Sequence, residues 1–524
     1  MQKIGQIVKK PLFWVWIAVA VGSFFRLFAL DRWPMGLHHD EAYSAYNAWS
    51  IMNYGIDAAG YGHPVYYPVY GSGMSVLYSY LTMPFLALFG TTAVAIRLPQ
   101  AILGCVSVWA AYVLGKEILN EKAGAVFALL LAINPWHIKQ SRFGWDANLA
   151  VPMFLFAVVF LCRYFNGKRK SVIPAGLFFG LTLYCYALTW MLVPLFLFGC
   201  LIVFFKRIKI DKYTVCGVGL LFVLAVPLLL FLAVNFGWIP EIKTAWISIP
   251  KLAQMRTDEL SLSGIKANIA WNAVMLFRQY DDIWWNTSPV VGSYYFVSMP
   301  FILAGIFRHL KRAFVSIKEK KRLPLELVML VWLLAMLFVS CTVQHAKFYK
   351  LNELHIPMIF YTAYGVLGVL KLLRNNKVVT GVLIGVYAFS FGRFVYDEVA
   401  YPVNYENYGQ AALARMHWNE YDGALDAAKE KTDGNISIIN LSYVNVLLHE
   451  KYPPADFRKD AVYVGDNMAF RTLRSFGRFH FEVWPSEQTE GWVFVIPYGA
   501  EDSFLQMGYT VEHITDCYGI AYEK

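Results

Sequence analysis

From Pro11 to Val395 the chain is a series of apolar runs divided by short polar loops. A run of about 20 apolar residues crosses roughly 30 Å of hydrocarbon as a helix. The runs at 11–30, 97–115, 123–134, 149–165, 172–189, 191–205, 214–236, 292–308, 325–341, 354–371 and 378–395 predict eleven transmembrane helices. Composition agrees: 58% of the residues are hydrophobic and only 16% charged, where soluble domains carry about 25% charged residues. The aromatic share of 17% suits rings placed at membrane–water interfaces. The first run has no small-residue cleavage site, so it reads as a retained helix and not a signal peptide.

Charge sets the orientation. The net charge of +10 is split in sign, because residues 397–524 hold 20 Asp+Glu against 10 Lys+Arg. The cations elsewhere lie in short loops, which fits the positive-inside rule better than nucleic-acid binding. With the N-terminus in the cytoplasm, the cytoplasmic segments hold 23 basic residues and four acidic ones. The loops 31–92, 135–148, 237–291 and 342–353 and the tail 397–524 then lie outside, in an integral plasma-membrane protein. Arg26, inside the first run, is expected to snorkel to the interface or to pair with a carboxylate of the site.

The first outer loop is long and aromatic, with interfacial helices expected near Asp40–Tyr54 and Met74–Leu88. The tail changes character. A helical stretch near Tyr405–Lys431 and strand-like runs at Asn435–Asn440, Trp492–Pro497 and Tyr518–Tyr522 predict a small α/β domain. The chain thus divides into a membrane domain, 1–396, and an extracytoplasmic domain, 397–524. The seven cysteines show no metal-like spacing and read as small packing residues.

The chemistry concentrates just after the first run, in HHDEAYSAY, residues 38–46. Carboxylates at a membrane edge are costly unless solvated, paired or used. Asp40 and Glu41 are candidate catalytic acids, with His38, His39, Tyr43, His63 and Tyr66 as candidate substrate contacts. Later outer segments add Arg97, then Arg142 and Asp146 in NPWHIKQSRFGWDANL, then His345 and Lys347 in QHAKFYKLNELH. Asp146 joins the candidate acids, His345 the substrate contacts, and Arg97, Arg142 and Lys347 are candidate phosphate-binding cations. Asp281-Asp282, near Trp284 and Trp285, offers a further contact for a sugar or a cation. Each has a plainer reading. Asp40 and Asp146 both stand where an acid caps a helix, Arg97 suits an interface anchor, and Asp281-Asp282 suits a solvated loop face.

Carboxylates and cations gathered at one surface fit transfer of a sugar from a polyprenyl-phosphate carrier. A carboxylate takes the proton of the attacking hydroxyl. Cations stabilise the departing phosphate where charge develops. A base on one face and a phosphate clamp on the other predict inversion at the anomeric carbon. No cofactor is required; a divalent cation at His38, His39 and His63 with Asp40 or Glu41 stays open, although no tight histidine pair in the sequence supports it.

The order of these segments resembles the GT-C glycosyltransferases, in particular the family 39-like enzymes, which include protein O-mannosyltransferases and lipid A aminoarabinose transferase. HHDEAYSAYNAWSIMNYG is similar to their first-loop acidic motif, GTTAVAIRLPQAILG to their AxRLPSA segment, and NPWHIKQSRFGWDANLA to their SPWH…SR…ANL segment. The resemblance covers roughly residues 12–165 and loosens beyond them. It implies the GT-C fold, Asp40 as base, Glu41 as an orienting acid, Asp146 as the second-loop acid, and a lipid-linked sugar donor with an envelope acceptor, protein, polymer or lipid. The chain departs from the pattern where many relatives have Lys-Pro-Pro; it reads Ser72-Gly73-Met74-Ser75. Two rival classes remain open. A transporter or flippase would place charges mid-membrane with repeat symmetry between halves, and a non-catalytic envelope scaffold would tolerate loss of Asp40.

Overall fold

The computed structural model describes residues 10–523 apart from Tyr70, 258–263, Trp284, His345, 401–418 and 466–470. The chain forms two compact units, one of residues 1–28, 98–229 and 257–402, the other of 29–97, 230–256 and 403–524.

The first unit is helical. Among the described residues of the chain, six helices are long and apolar enough to cross a membrane: Ala93–Ile118, Asp146–Phe165, Thr189–Arg207, Lys212–Asn235, Phe348–Leu372 and Lys377–Glu398. The other five expected spans are also helices, namely Pro11–Leu27, Glu121–Ala132, Val172–Thr182, Met299–Lys318 and Leu327–Thr342. Four of these are short. Met299–Lys318 has 20 residues, but from its midpoint on it carries Arg308, Lys311, Arg312 and Lys318. By length and hydropathy, then, the count of eleven spans is not reproduced.

Where water is absent, helices gain by close backbone approach through small residues. The helices Met299–Lys318 and His355–Leu372 show this. A Cβ on Gly305 would lie 2.3 Å from the Tyr361 carbonyl oxygen, and one on Gly365 only 1.9 Å from that of Phe301. Trp332, Phe154, Phe179 and Phe196 fill the adjoining core.

Arg26 takes neither expected position. Its helix, Pro11–Leu27, buries Val15, Ala18, Gly22 and Arg26, a stripe at helical spacing. The guanidinium donates to the Leu131 and Ala132 carbonyls at 3.0 Å each, to Gly22 O at 2.8 Å and to His137 Nδ1 at 2.6 Å. It neutralises the carbonyl end of the Glu121–Ala132 helix instead of reaching water or a carboxylate. Burial and the neighbouring Arg26 hold His137 well below its usual pKa, so the ring stays a neutral acceptor.

In the second unit the first-loop helices are His39–Tyr54 and Leu77–Phe89, close to expectation. The tail carries a seven-stranded sheet: β1 (Ile436–Ile438), β2 (Val462–Val464), β3 (Thr472–Phe476), β4 (Phe479–Phe481), β5 (Val493–Pro497), β6 (Thr510–His513) and β7 (Tyr518–Tyr522). Its order is β6-β7-β5-β1-β4-β3-β2. The central β1 runs parallel to β4 and β5, and the remaining pairs are antiparallel. Phe494, Ile496, Phe504 and Ala521 are buried together on one side of it. The helix Tyr421–Lys431 is present; residues 405–418 of the expected helical stretch lie outside the described residues. No disulfide joins any of the seven cysteines.

Candidate active site

The helix His39–Tyr54 starts with a reciprocal cap. The Asp40 N–H donates to His38 Nδ1 at 3.1 Å, and the His38 N–H donates to Glu41 Oε2 at 3.1 Å. This satisfies two otherwise orphaned donors. Gly55, at φ +73°, ends the helix by donating its N–H to Ile51 O. The cap is therefore His38, which leaves the Asp40 carboxylate out of it.

The two neighbouring acids have opposite surroundings. Glu41 is fully buried. Arg97 Nε lies 2.9 Å from its Oε1, and Nη2 3.0 Å from its Oε2. The same guanidinium donates to the carbonyls of Leu30 and Pro34 at 2.9 and 2.8 Å, and to that of Gly36. A buried ion pair is tolerated only when its remaining hydrogen-bonding positions are filled, and here they are. Arg97 is thus committed to a brace that ties residues 30–36 to the helix. It is neither an interface anchor nor a cation presented to a phosphate.

Asp40 is 37% exposed at its side chain, with His39 Nε2 at 3.6 Å and His38 Nδ1 at 3.8 Å. Those separations exceed hydrogen-bond length, so neither histidine ring hydrogen-bonds the carboxylate. The Tyr43 hydroxyl donates to Pro68 O at 3.0 Å. Tyr66 is a packing residue: it sits in a two-residue strand pairing with Met74–Ser75, its ring 4.8 Å from that of Phe231. His63 is exposed at φ +47°, and its carbonyl accepts the Ser248 N–H.

The remaining candidates belong to the first unit. Asp146 is buried at the first turn of Asp146–Phe165, one residue inside the N-cap Trp145, and its Oδ1 accepts the Ala147 N–H at 2.7 Å. Arg142 is buried and donates to the carbonyls of Phe25 and Phe28 at 2.8 and 2.6 Å. Lys347 is half-buried, its Nζ 2.8 Å from Asp281 O and 5.4 Å from the Trp271 ring centre. His345 lies outside the described residues.

Several polar pairings were not legible in the sequence. Asp281 is buried and accepts from the Phe348 N–H at 2.7 Å and from Asn286 at 3.0 Å, while Asp282 alone fits the solvated face. Burial raises the Asp281 carboxyl above the usual range against those bonds. Lys139 forms a buried pair with Glu398 at 3.0 Å. Asn352 links the Trp136 indole to the Asn148 side chain. A buried Asn carries no periodic signal, so nothing local marks it.

Among the described residues, two clusters have the donor set for a cation. Ligand atoms of His38, His39 and Asp40 lie within 4.8 Å of one another, as do those of Asp426, His449 and Glu450. In the first, His38 Nδ1 already accepts the Asp40 N–H. In the second, Lys429 Nζ stands 2.9 Å from Asp426 and 2.8 Å from Glu450, where a cation would sit. Neither fits a metal as arranged. A cleft of about 370 Å³ opens in the same unit, lined by Asp31, Leu37, Asn419, Asp422, His449 and Lys451.

Comparison with solved structures decides the fold. ArnT of Cupriavidus metallidurans matches in its apo state with a TM-score of 0.54 at 13% identity, and bound to undecaprenyl phosphate with 0.55 at 12%, over 97% of both chains each time. The chain has the GT-C fold. An Archaeoglobus fulgidus oligosaccharyltransferase in the apo form also matches this GT-C chain, with a TM-score of 0.50 and 15% identity over 84% of its length. The chain covers only 64% of that archaeal protein. The family model described as dolichyl-phosphate-mannose-protein mannosyltransferase matches residues 74–231, which include Arg97, Arg142 and Asp146. No curated protein sequence matches the GT-C chain.

Proposed function

We propose that this GT-C protein is an inverting glycosyltransferase. It transfers a hexosyl or pentosyl group from a polyprenyl-phosphate donor to an envelope acceptor at the outer membrane face. The observation that carries this reading is the contrast within one acidic pair: Glu41 is locked by Arg97, while Asp40 is part-exposed and outside the helix cap. Asp40 takes the proton of the acceptor hydroxyl as oxygen attacks the anomeric carbon. The bond from that carbon to the carrier phosphate breaks, and the phosphate leaves with the electron pair. The undecaprenyl phosphate of the ArnT structure supports a carrier of that chemical class.

The test is Asp40→Asn in membranes supplied with a lipid-linked sugar. Loss of a positioned general base lowers turnover by about 10²- to 10⁴-fold, with binding of the polyprenyl-phosphate donor retained. Wild-type turnover in that variant would overturn the reading.

A further inference from the structure

The C-terminal sheet domain grips the catalytic helix at three places along its length. Before the helix, the Asn445 side-chain amide donates to Leu37 O at 3.1 Å, and the Gly36 N–H donates to Asn419 Oδ1 at 3.1 Å. In the middle, the Tyr46 hydroxyl donates to Tyr452 O at 2.6 Å. Beyond its end, the Arg458 guanidinium lies over Gly60, where a Cβ would be 2.3 Å from its Nη1. Gly60 has φ +86°, so glycine alone suits both the backbone and the contact.

Asn445 is fully buried on the helix Tyr443–Glu450, and its own carbonyl is held by the Tyr421 hydroxyl at 3.1 Å. The donor is therefore rigid. Its acceptor, Leu37 O, belongs to the residue next to the His38 cap and three before Asp40. A domain serving only as a hanging acceptor-binding module has no need of contacts at both ends of this helix.

We propose that Asn445 and Asn419 are positioning residues: they hold the Gly36–Leu37 peptide so that the cap at His38 presents Asp40 in its reactive orientation. The inference rests on Asp40 being the base. Small misplacement of a reacting group costs turnover steeply, on the order of 10²-fold per ångström.

The two asparagines use opposite halves of their amides, so one substitution separates them. Asn445→Asp loses the donor to Leu37, whereas Asn419→Asp keeps the acceptor for Gly36. Full-length protein in detergent is assayed with polyprenyl-phosphate sugar, and amide hydrogen exchange is followed over residues 36–42. Asn445→Asp and Asn419→Ala are expected to lower kcat by about 10- to 100-fold with donor KM unchanged, and to speed exchange across 36–42. Asn419→Asp should behave as wild type in both. In an Asp40→Asn background, Asn445→Asp should remove no further activity. If Asn445→Asp fails to fold, the Asn419 pair decides alone. Unchanged exchange in Asn419→Ala, or equal defects in both Asn419 variants, would overturn the proposal. Full activity of Asp40→Asn would instead remove the base assignment, while exchange would still report on the grip.

Discussion

Arg97 meets Glu41 fork to fork, with two N–O distances of 2.9 and 3.0 Å and neither side chain exposed. Stability and catalysis should therefore separate between adjacent acids. Arg97→Leu strands a buried carboxylate and should cost about 3–5 kcal/mol. Arg97→Lys should not restore it, since an ammonium cannot reproduce the planar fork. Thermal melting in detergent checks this, with Asp40→Asn expected to melt like wild type. A wild-type melt for Arg97→Leu would show the brace to be dispensable.

Asp57 gives the second unit a pH dependence. Burial pushes its carboxyl up to about 7, against the N–H groups of Tyr61, Ala59 and Gly60 and the Arg458 charge. The folded pKa lies above the unfolded value near 4. The stability contribution is thus complete below pH ~4 and is lost as pH rises through about 7, by something of order 4 kcal/mol. Asp57→Asn should flatten that slope. Parallel melting curves for variant and wild type between those pH values would refute it.

Gly365 and Gly381 offer a matched pair. A methyl at Gly365 meets the Phe301 carbonyl, while nothing lies within 4 Å of one at Gly381. Gly365→Ala should lower the melting temperature by forcing two helices apart. Gly381→Ala should be neutral or stabilising by up to about 1 kcal/mol, from helix propensity. Equal melts would mean that the helices yield without cost.

Arg26 closes the carbonyl end of one helix and meets a neutral imidazole. Arg26→Leu leaves those acceptors buried without donors, at about 1–3 kcal/mol for each group. Faster proteolysis of the 131–142 segment is the expected readout. Protection equal to wild type would indicate that water replaces the guanidinium.

The helices could be read from the sequence because apolar runs are a local signal. Each of the eleven runs is a helix, yet hydropathy overstated the spans at Glu121–Ala132 and Val172–Thr182, which have only 12 and 11 residues. The acidic pair was visible at once; its division of labour was not, because Arg97 is 56 positions from Glu41. The same holds for Arg26, whose Leu131 and Ala132 partners lie more than 100 residues away. In the tail, β1, β5 and β7 are apolar enough to stand out. The exposed edge strand β2 and the arginine-bearing β3 are not, and sheet neighbours alone define them.

Successive residues on a helix point about 100° apart. An Asp-Glu doublet at a helix start therefore cannot send both side chains the same way. Sliding the first turn by one residue would carry the reagent into the buried place of the strut, and the histidine lock at position 38 opposes that shift.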